Sequence, residues 1–248
     1  MTLAIPPNLP LTRNSPSLDT FSSILNALSI HTRQTSWGRQ IEDPSICWVI
    51  SEWPSVAALD AVLASPEYKS EFVARLVALL GHAPSAIYRC WLNNRWQLIQ
   101  PSEGQRAEIV LAYFPASITG DTCEAVDALR SIHAEGSFTA TEAMQRLRLI
   151  QESRGWVEDV VLWQGEERRV YVVVREWVSE EREGLHKAEE RLWDEHGRPL
   201  VVDAFEKGLR ENGMVGLHGG HGVFRRCQGR CPSPPRERRR WRRVTVED

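Results

Sequence analysis

Residues 36–53, SWGRQIEDPSICWVISEW, limit what this chain can fold into more than any other stretch. Trp37 to Glu42 mixes apolar and polar side chains at strand-like spacing. Asp43-Pro44-Ser45 turns, because Pro44 fixes its own φ and moves Asp43 out of helical geometry. Ile46 to Ile50 then runs Ile-Cys-Trp-Val-Ile, the β-branched and aromatic composition of a buried strand. That strand closes on Glu52-Trp53, and Ser55 after Pro54 can cap a helix. The same order recurs at 156–163, a polar turn at 164–167 and 170–177, again followed by a helix and again with a strand ending in Glu-Trp. A hairpin-plus-helix unit used twice predicts two similar modules, and 248 residues suit two domains of about 100 each.

Taken in order, the chain fills in the rest of each module. Leu3 to Ile5 is a short first strand among prolines. Ser17 can cap a helix whose apolar positions Leu18, Phe21, Leu25 and Leu28 step by three or four. After the hairpin, Ser55 starts a helix with Val56, Leu59 and Leu63. Ser65-Pro66 restarts it with Tyr68, Phe72, Leu76 and Leu79 on one face, and Gly81 ends it. Ile87 to Leu92 reads as a strand. The run β, α, β, β, α, β is the order of a ferredoxin-like module. Residues 1–96 form this first module, 97–106 a linker with Pro101, Ser102 and Gly104, and 107–226 the second module. In the latter, 109–114 is a strand and 122–134 an added helix. Thr141 caps another helix through Ile150 that stops near Gly155. Ser179 begins a charged helix that Pro199 restarts, and 214–224 takes the place of the last strand despite its glycines.

Composition narrows the function classes. At 42% hydrophobic the chain can bury a core. The net charge of −3 conceals an asymmetry: from Arg225 onward nine Arg stand against Glu237, Glu247 and Asp248, a net of +6, leaving −9 on the preceding residues. Nothing in an acidic body suggests nucleic acid. Only the basic tail at 227–248, which lacks periodicity and reads as disordered, is a candidate for nuclear targeting or RNA binding. No Lys or Arg precedes Arg13, and Pro6, Pro7 and Pro10 interrupt the one apolar stretch near the start, so no signal peptide is expected. No apolar run approaches the roughly 18 residues of a membrane helix, so no membrane partner is expected. Five cysteines, odd in number and scattered, suit a reduced, cytoplasmic chain.

Two such modules, each an antiparallel sheet with helices on one face, can pack sheet on sheet as an α+β barrel, within one chain or as a homodimer. With Trp37-Gly-Arg-Gln-Ile-Glu-Asp-Pro44, the strand ending at Trp53, and Ser65-Pro-Glu-Tyr68 with Phe72, the sequence resembles fungal members of the dimeric α+β-barrel superfamily, particularly those like the antibiotic biosynthesis monooxygenase (ABM) domain. The resemblance covers about 17–94 closely and 108–224 loosely. It implies one of several activities, among them cofactor-free monooxygenation of aromatic polyketides, haem degradation, isomerisation and lysis, or none. Many relatives carry a pocket-facing His on the helix six residues after the strand-final Trp. At that spacing this chain has Leu59 and Glu183, with His186 one helical turn beyond the second. An axial His for haem has no place here.

Cofactor-free oxygenation needs a substrate that ionises to a carbanion and then reacts with O₂, while the protein supplies a base, a dry site and donors for the developing oxyanion. The candidates are His186 as base and Arg39 and Tyr68 as oxyanion partners. Trp37, Trp48, Trp53, Trp156 and Trp177 fall on the expected sheets and would line a site for a flat apolar or aromatic ligand. Their alternative role is core packing, which would make a non-catalytic barrel with a filled interior. Glu42 and Asp43 read as solvated turn carboxylates, and Cys47 and Cys90 as buried small hydrophobes. His218, His221, Cys227 and Cys231 have zinc-compatible residue types in an order that matches no zinc module, so no metal is expected. No glycine-rich loop with Lys and Ser/Thr supports a nucleotide, and no cofactor is expected.

Overall fold

The structure, a computed structural model, describes residues 1–93, 106–129, 149–187, 192–193, 199–200 and 204–227. The fold is mixed α+β with two main antiparallel sheets. The chain divides into two compact units, one of Met1–Leu9, Ser36–Ile50 and Leu80–Arg226, the other of Pro10–Thr35, Ser51–Leu79 and the residues from Cys227 onward.

The first unit holds the sheets. The first sheet runs β1 (Thr2–Ala4), β3 (Ile46–Glu52), β2 (Gln34–Arg39) and β11 (Arg225–Arg226). The turn between β2 and β3 forms as the proline predicts: Asp43 Oδ1 accepts from the Ser45 amide at 3.0 Å and from its hydroxyl at 2.5 Å. The second sheet runs β10 (Gly216–Gly222), β4 (Arg106–Pro115), β7 (Glu166–Trp177) and β5 (Leu149–Trp156), with β6 (Val161–Trp163) also on β7. Alternation along β4 and β7 sorts their side chains onto two faces. One face joins Trp48 and Phe224 to Ile109, Leu111, Tyr113, Val170, Val172 and Val174 in a closed apolar core. The other packs Val110, Ala112, Phe114, Tyr171 and Val173 against Val126 of α4 (Gly120–Ala128) and Phe205 and Leu209 of α6 (Ala204–Glu211).

The second unit is mainly helical. α1 (Pro16–Ser29) packs on the π-helical segment Tyr68–Ala74, which follows α2 (Val56–Ala64) and leads into α3 (Arg75–Leu80). The hydroxyls of Thr32, Thr35 and Ser51 form a chain of bonds at 2.8 and 3.1 Å.

Several expectations need correction. Ser15 rather than Ser17 caps α1, accepting from the Leu18 amide at 3.1 Å, because Pro16 lacks an amide hydrogen and presets the first helical φ. The segment at 87–92 is not a regular strand. It touches its neighbours through the single bridge of Cys90 to Val157, with that of Ala86 to Thr2 just before it, and a side chain also holds it: Trp91 Nε1 donates to Glu158 at 2.7 Å. Ile150 and Gly155 lie in β5, not in a helix, because β7 pairs with the strand on both sides of a register shift at Ile150, Leu149 facing Trp177 and Gln151 to Trp156 facing Glu176 to Tyr171. The second hairpin proper is β6–β7, turned by Gln164 and Gly165 with φ of 52° and 82°, the left-handed pair a two-residue hairpin needs. Pro199 and Leu200 (β9, Pro199–Leu200) pair with Trp193 and Leu192 (β8, Leu192–Trp193) as short strands, so no helix restarts at Pro199. The glycines of β10 do not break it. A Cβ on Gly219 would lie 2.7 Å from the Ile109 carbonyl oxygen, so glycine is what lets β10 approach β4. Thr141 and the basic tail beyond Cys227 lie outside the described residues.

Candidate functional site

The polar side chains of the second sheet gather in one row. Residues directly opposite in an antiparallel ladder point to the same face. His221 on β10 is opposite Glu108 on β4, Glu108 is opposite Arg175 on β7, and Arg175 is opposite Glu152 on β5. The row crosses four strands with alternating charge on the face that carries Val110 and Val173. The next position places Arg106 opposite Trp177 on the same face.

α5 (Glu180–Lys187) completes the cluster. Its Glu183 is 2% exposed, and its carboxylate meets His221 Nε2 with one oxygen and accepts from Arg106 Nε at 2.7 Å with the other. Arg106 also reaches Glu180 at 3.1 Å. Glu108 accepts from Trp177 Nε1 at 3.2 Å, and Arg175 bonds Glu152 at 2.9 Å while lying 3.6 Å from Glu108. On the far side of the imidazole, Glu42 meets Nδ1 and also accepts from the His221 amide at 2.9 Å. The Ile41 amide donates to the His221 carbonyl at 2.7 Å, which brings Glu42 there. Burial raises the Glu42 carboxyl, but the bonds from the His221 amide and ring outweigh it and leave the group below its usual range. One histidine thus sits between two carboxylates, one buried and one at the rim, with the side chain of Glu42 46% exposed.

The residues expected from sequence lie elsewhere or at the margin of this cluster. Trp177 alone belongs to it. Trp156 shares the face, 4.9 Å from Tyr171 and 5.2 Å from Phe114. Trp48 is in the closed core, parallel to Phe224 at 6.4 Å, and Trp37 lies under the Arg225 guanidinium at 5.7 Å. Arg39 donates to the Pro44 carbonyl at 2.7 Å and so braces the turn. Trp53 and Tyr68 belong to the helical unit, where Tyr68 stacks on Phe72 at 5.3 Å and burial raises its hydroxyl pKa. His186 is on α5, and its side chain lies outside the described residues.

Glu42, Glu108, Glu183 and His221 were not expected as a group. Two signals were present. Glu183 stands at the spacing where relatives of the resembled superfamily carry a histidine, and Glu108 is an acid leading directly into the apolar run of β4. His218 and His221 pair with Leu111 and Glu108, so they point to opposite faces of β10, as any two residues three apart in a strand must.

This architecture, two main antiparallel sheets with helices, defines a mixed α+β protein. Among solved structures, one described as an anthrone oxidase-like protein aligns over 94% of both chains with a TM-score of 0.58 at 11% identity. A provisionally named monooxygenase from Lactobacillus acidophilus gives a TM-score of 0.45 at 9% identity, covering 86% of this chain and 92% of that one. No protein-family model and no curated protein matches the sequence. No helix among the described residues is long and apolar enough to cross a membrane.

Proposed function

We propose that this chain binds a small aromatic molecule and oxidises it with O₂ without a bound redox cofactor, an anthrone-type methylene being the substrate class. The observation that carries the reading is the imidazole of His221 held between Glu42 and Glu183, in a fold shared with an anthrone oxidase-like protein. Glu183, buried and tied to Arg106, holds the Nε2 proton and raises the basicity of Nδ1. Glu42 at the rim is the partner a substrate displaces, freeing Nδ1 to take a proton from the activated CH₂. The resulting anion, with charge delocalised onto its oxygen, passes one electron to O₂, and the radical pair joins through a new C–O bond. His221 returns its proton to the peroxide anion, which becomes the hydroperoxide. Loss of the remaining C–H proton with cleavage of O–O gives the ketone and one water. Arg175 is the group suited to the oxyanion, since its Nη2 is buried and has no hydrogen-bond partner among the described residues.

The test is to supply an anthrone to the purified protein in air and follow quinone absorbance and O₂ uptake. One O₂ is expected per quinone, with a loss of about 10²-fold or more in His221→Ala. Equal rates for both proteins, or a rate no higher than in buffer, overturns the reading. A second reading, a non-catalytic barrel with a filled interior, is favoured by the side chains of Trp48, Tyr113 and Phe224 that occupy the space between the sheets. The absence of any turnover would select it.

A further inference from the structure

We infer that Glu108, Glu183 and His221 form a binding site for one first-row divalent cation of the zinc or manganese type, independently of the oxidation proposed above. The three come from β4, α5 and β10, and each offers a ligand atom within 4.8 Å of the other two. A cation bound at about 2.0–2.2 Å from each would set those atoms about 3–3.5 Å apart and would replace the direct Glu183–His221 contact. The set is buried: Glu108 is 5% and Glu183 2% exposed, and the His221 side chain 15%.

The surroundings are built as an outer shell as well as a first one. A ligating imidazole needs its other nitrogen held by an acceptor, and Glu42 does this at Nδ1 while also taking the His221 amide. Ligating carboxylates need their second oxygens or lone pairs fixed. Arg106 fixes Glu183 from 2.7 Å, and Trp177 Nε1 with Arg175 fixes Glu108 from 3.2 and 3.6 Å. Charge leads the same way. Glu108, Glu152 and Glu183 face the guanidiniums of Arg106 and Arg175, while Glu42 at the rim and the solvated Glu180 add negative charge. Arg154, 3.9 Å from Glu152, balances the third buried carboxylate, so among the described residues the negative excess of the cluster comes from Glu42 and Glu180. One imidazole and two carboxylates, without thiolate, favour zinc, iron(II) or manganese over copper(I), and the imidazole disfavours magnesium and calcium.

The experiment takes the full chain, strips it with chelator, and titrates Zn²⁺ by calorimetry with metal analysis after dialysis. One zinc per chain is expected. His221→Ala and Glu108→Gln should each weaken binding by 100-fold or more, and Glu42→Gln by about 10–100-fold through the outer shell. His218→Ala, on the opposite face of β10, should change nothing. If Glu108→Gln fails to fold, a Co²⁺ absorption band present in the native chain and absent in His221→Ala carries the same information. No zinc on the native chain, or equal zinc on His221→Ala, overturns the site. Because a cation occupies Nε2, zinc should also slow anthrone oxidation. Zinc binding without any oxidation in the metal-free chain removes the oxidation reading alone, and oxidation without zinc binding removes the cation site alone.

Discussion

Glu183 and His221 lie 38 residues apart in the chain and meet through a buried carboxylate–imidazole contact at Nε2. Glu183 is 2% exposed and shares its charge with Arg106, whose own side chain is 14% exposed. Removing the carboxylate leaves a buried guanidinium and an imidazole without it. Glu183→Ala should therefore destabilise the chain by about 3–5 kcal/mol, measured by urea denaturation, and Glu183→Gln by less because the amide oxygen still accepts one bond.

The glycine next to it gives the opposite sign. Gly184 is in the body of α5, and a Cβ there would meet nothing within 4 Å. Gly184→Ala should stabilise the helix by up to about 1 kcal/mol through the entropy of the unfolded chain, seen as a higher denaturation midpoint at unchanged slope.

Gly155 cannot be changed so freely. A Cβ on it would lie 1.8 Å from the Trp91 carbonyl oxygen, a backbone atom that no side-chain rotation can move. The Asn93 amide donates to the Arg154 carbonyl at 2.8 Å and Asn93 Oδ1 accepts from the Arg154 amide at 3.0 Å, so the two segments are tied together at that point. Gly155→Ala should cost about 1–3 kcal/mol, in the range of an overpacked site, and should raise hydrogen exchange at Asn93 and Cys90.

Glu42 provides the pH dependence. Its folded pKa is depressed, so its contribution to stability is fully present above the ordinary glutamate value of about 4.3 and is lost as pH falls through the lower folded value. Stability of the native chain relative to Glu42→Gln should be constant in its Glu42 contribution above that point and shrink below it. A difference that persists at the acid end would show that the carboxylate–histidine bonds do not favour the ionised form.

Cysteine reactivity separates the folded from the unfolded chain. Burial pushes the Cys90 thiol up to about 11 and that of Cys227 to about 12. Both should resist iodoacetamide at pH 8 in the native chain and react readily in urea, read by peptide mass spectrometry.

Strands and caps were legible where neighbours in sequence decide them. The turn at Asp43-Pro44-Ser45, the Ser55 cap and the apolar strand of β4 all follow from local sterics and composition. The run at 149–156 misled because its side chains do not alternate simply. It becomes a strand only because β7 lies beside it with free backbone groups. The glycine-rich β10 was expected as the last strand and is one: poor by propensity, it is held by its seven-residue pairing with β4.

The candidate site was legible in parts only. Sequence alone determined an α+β chain with a hairpin and helix at 34–64, an acidic body and a basic end, because periodicity, proline placement and charge are properties of neighbouring residues. It could also show that Glu183 stands at a notable spacing. Only the tertiary structure decided that Glu183, Glu108, Glu42 and His221 share one site, because that depends on strand register. A one-residue slip of β10 against β4 would turn His221 away from Glu108 onto the opposite face, and no local feature of either segment fixes that register.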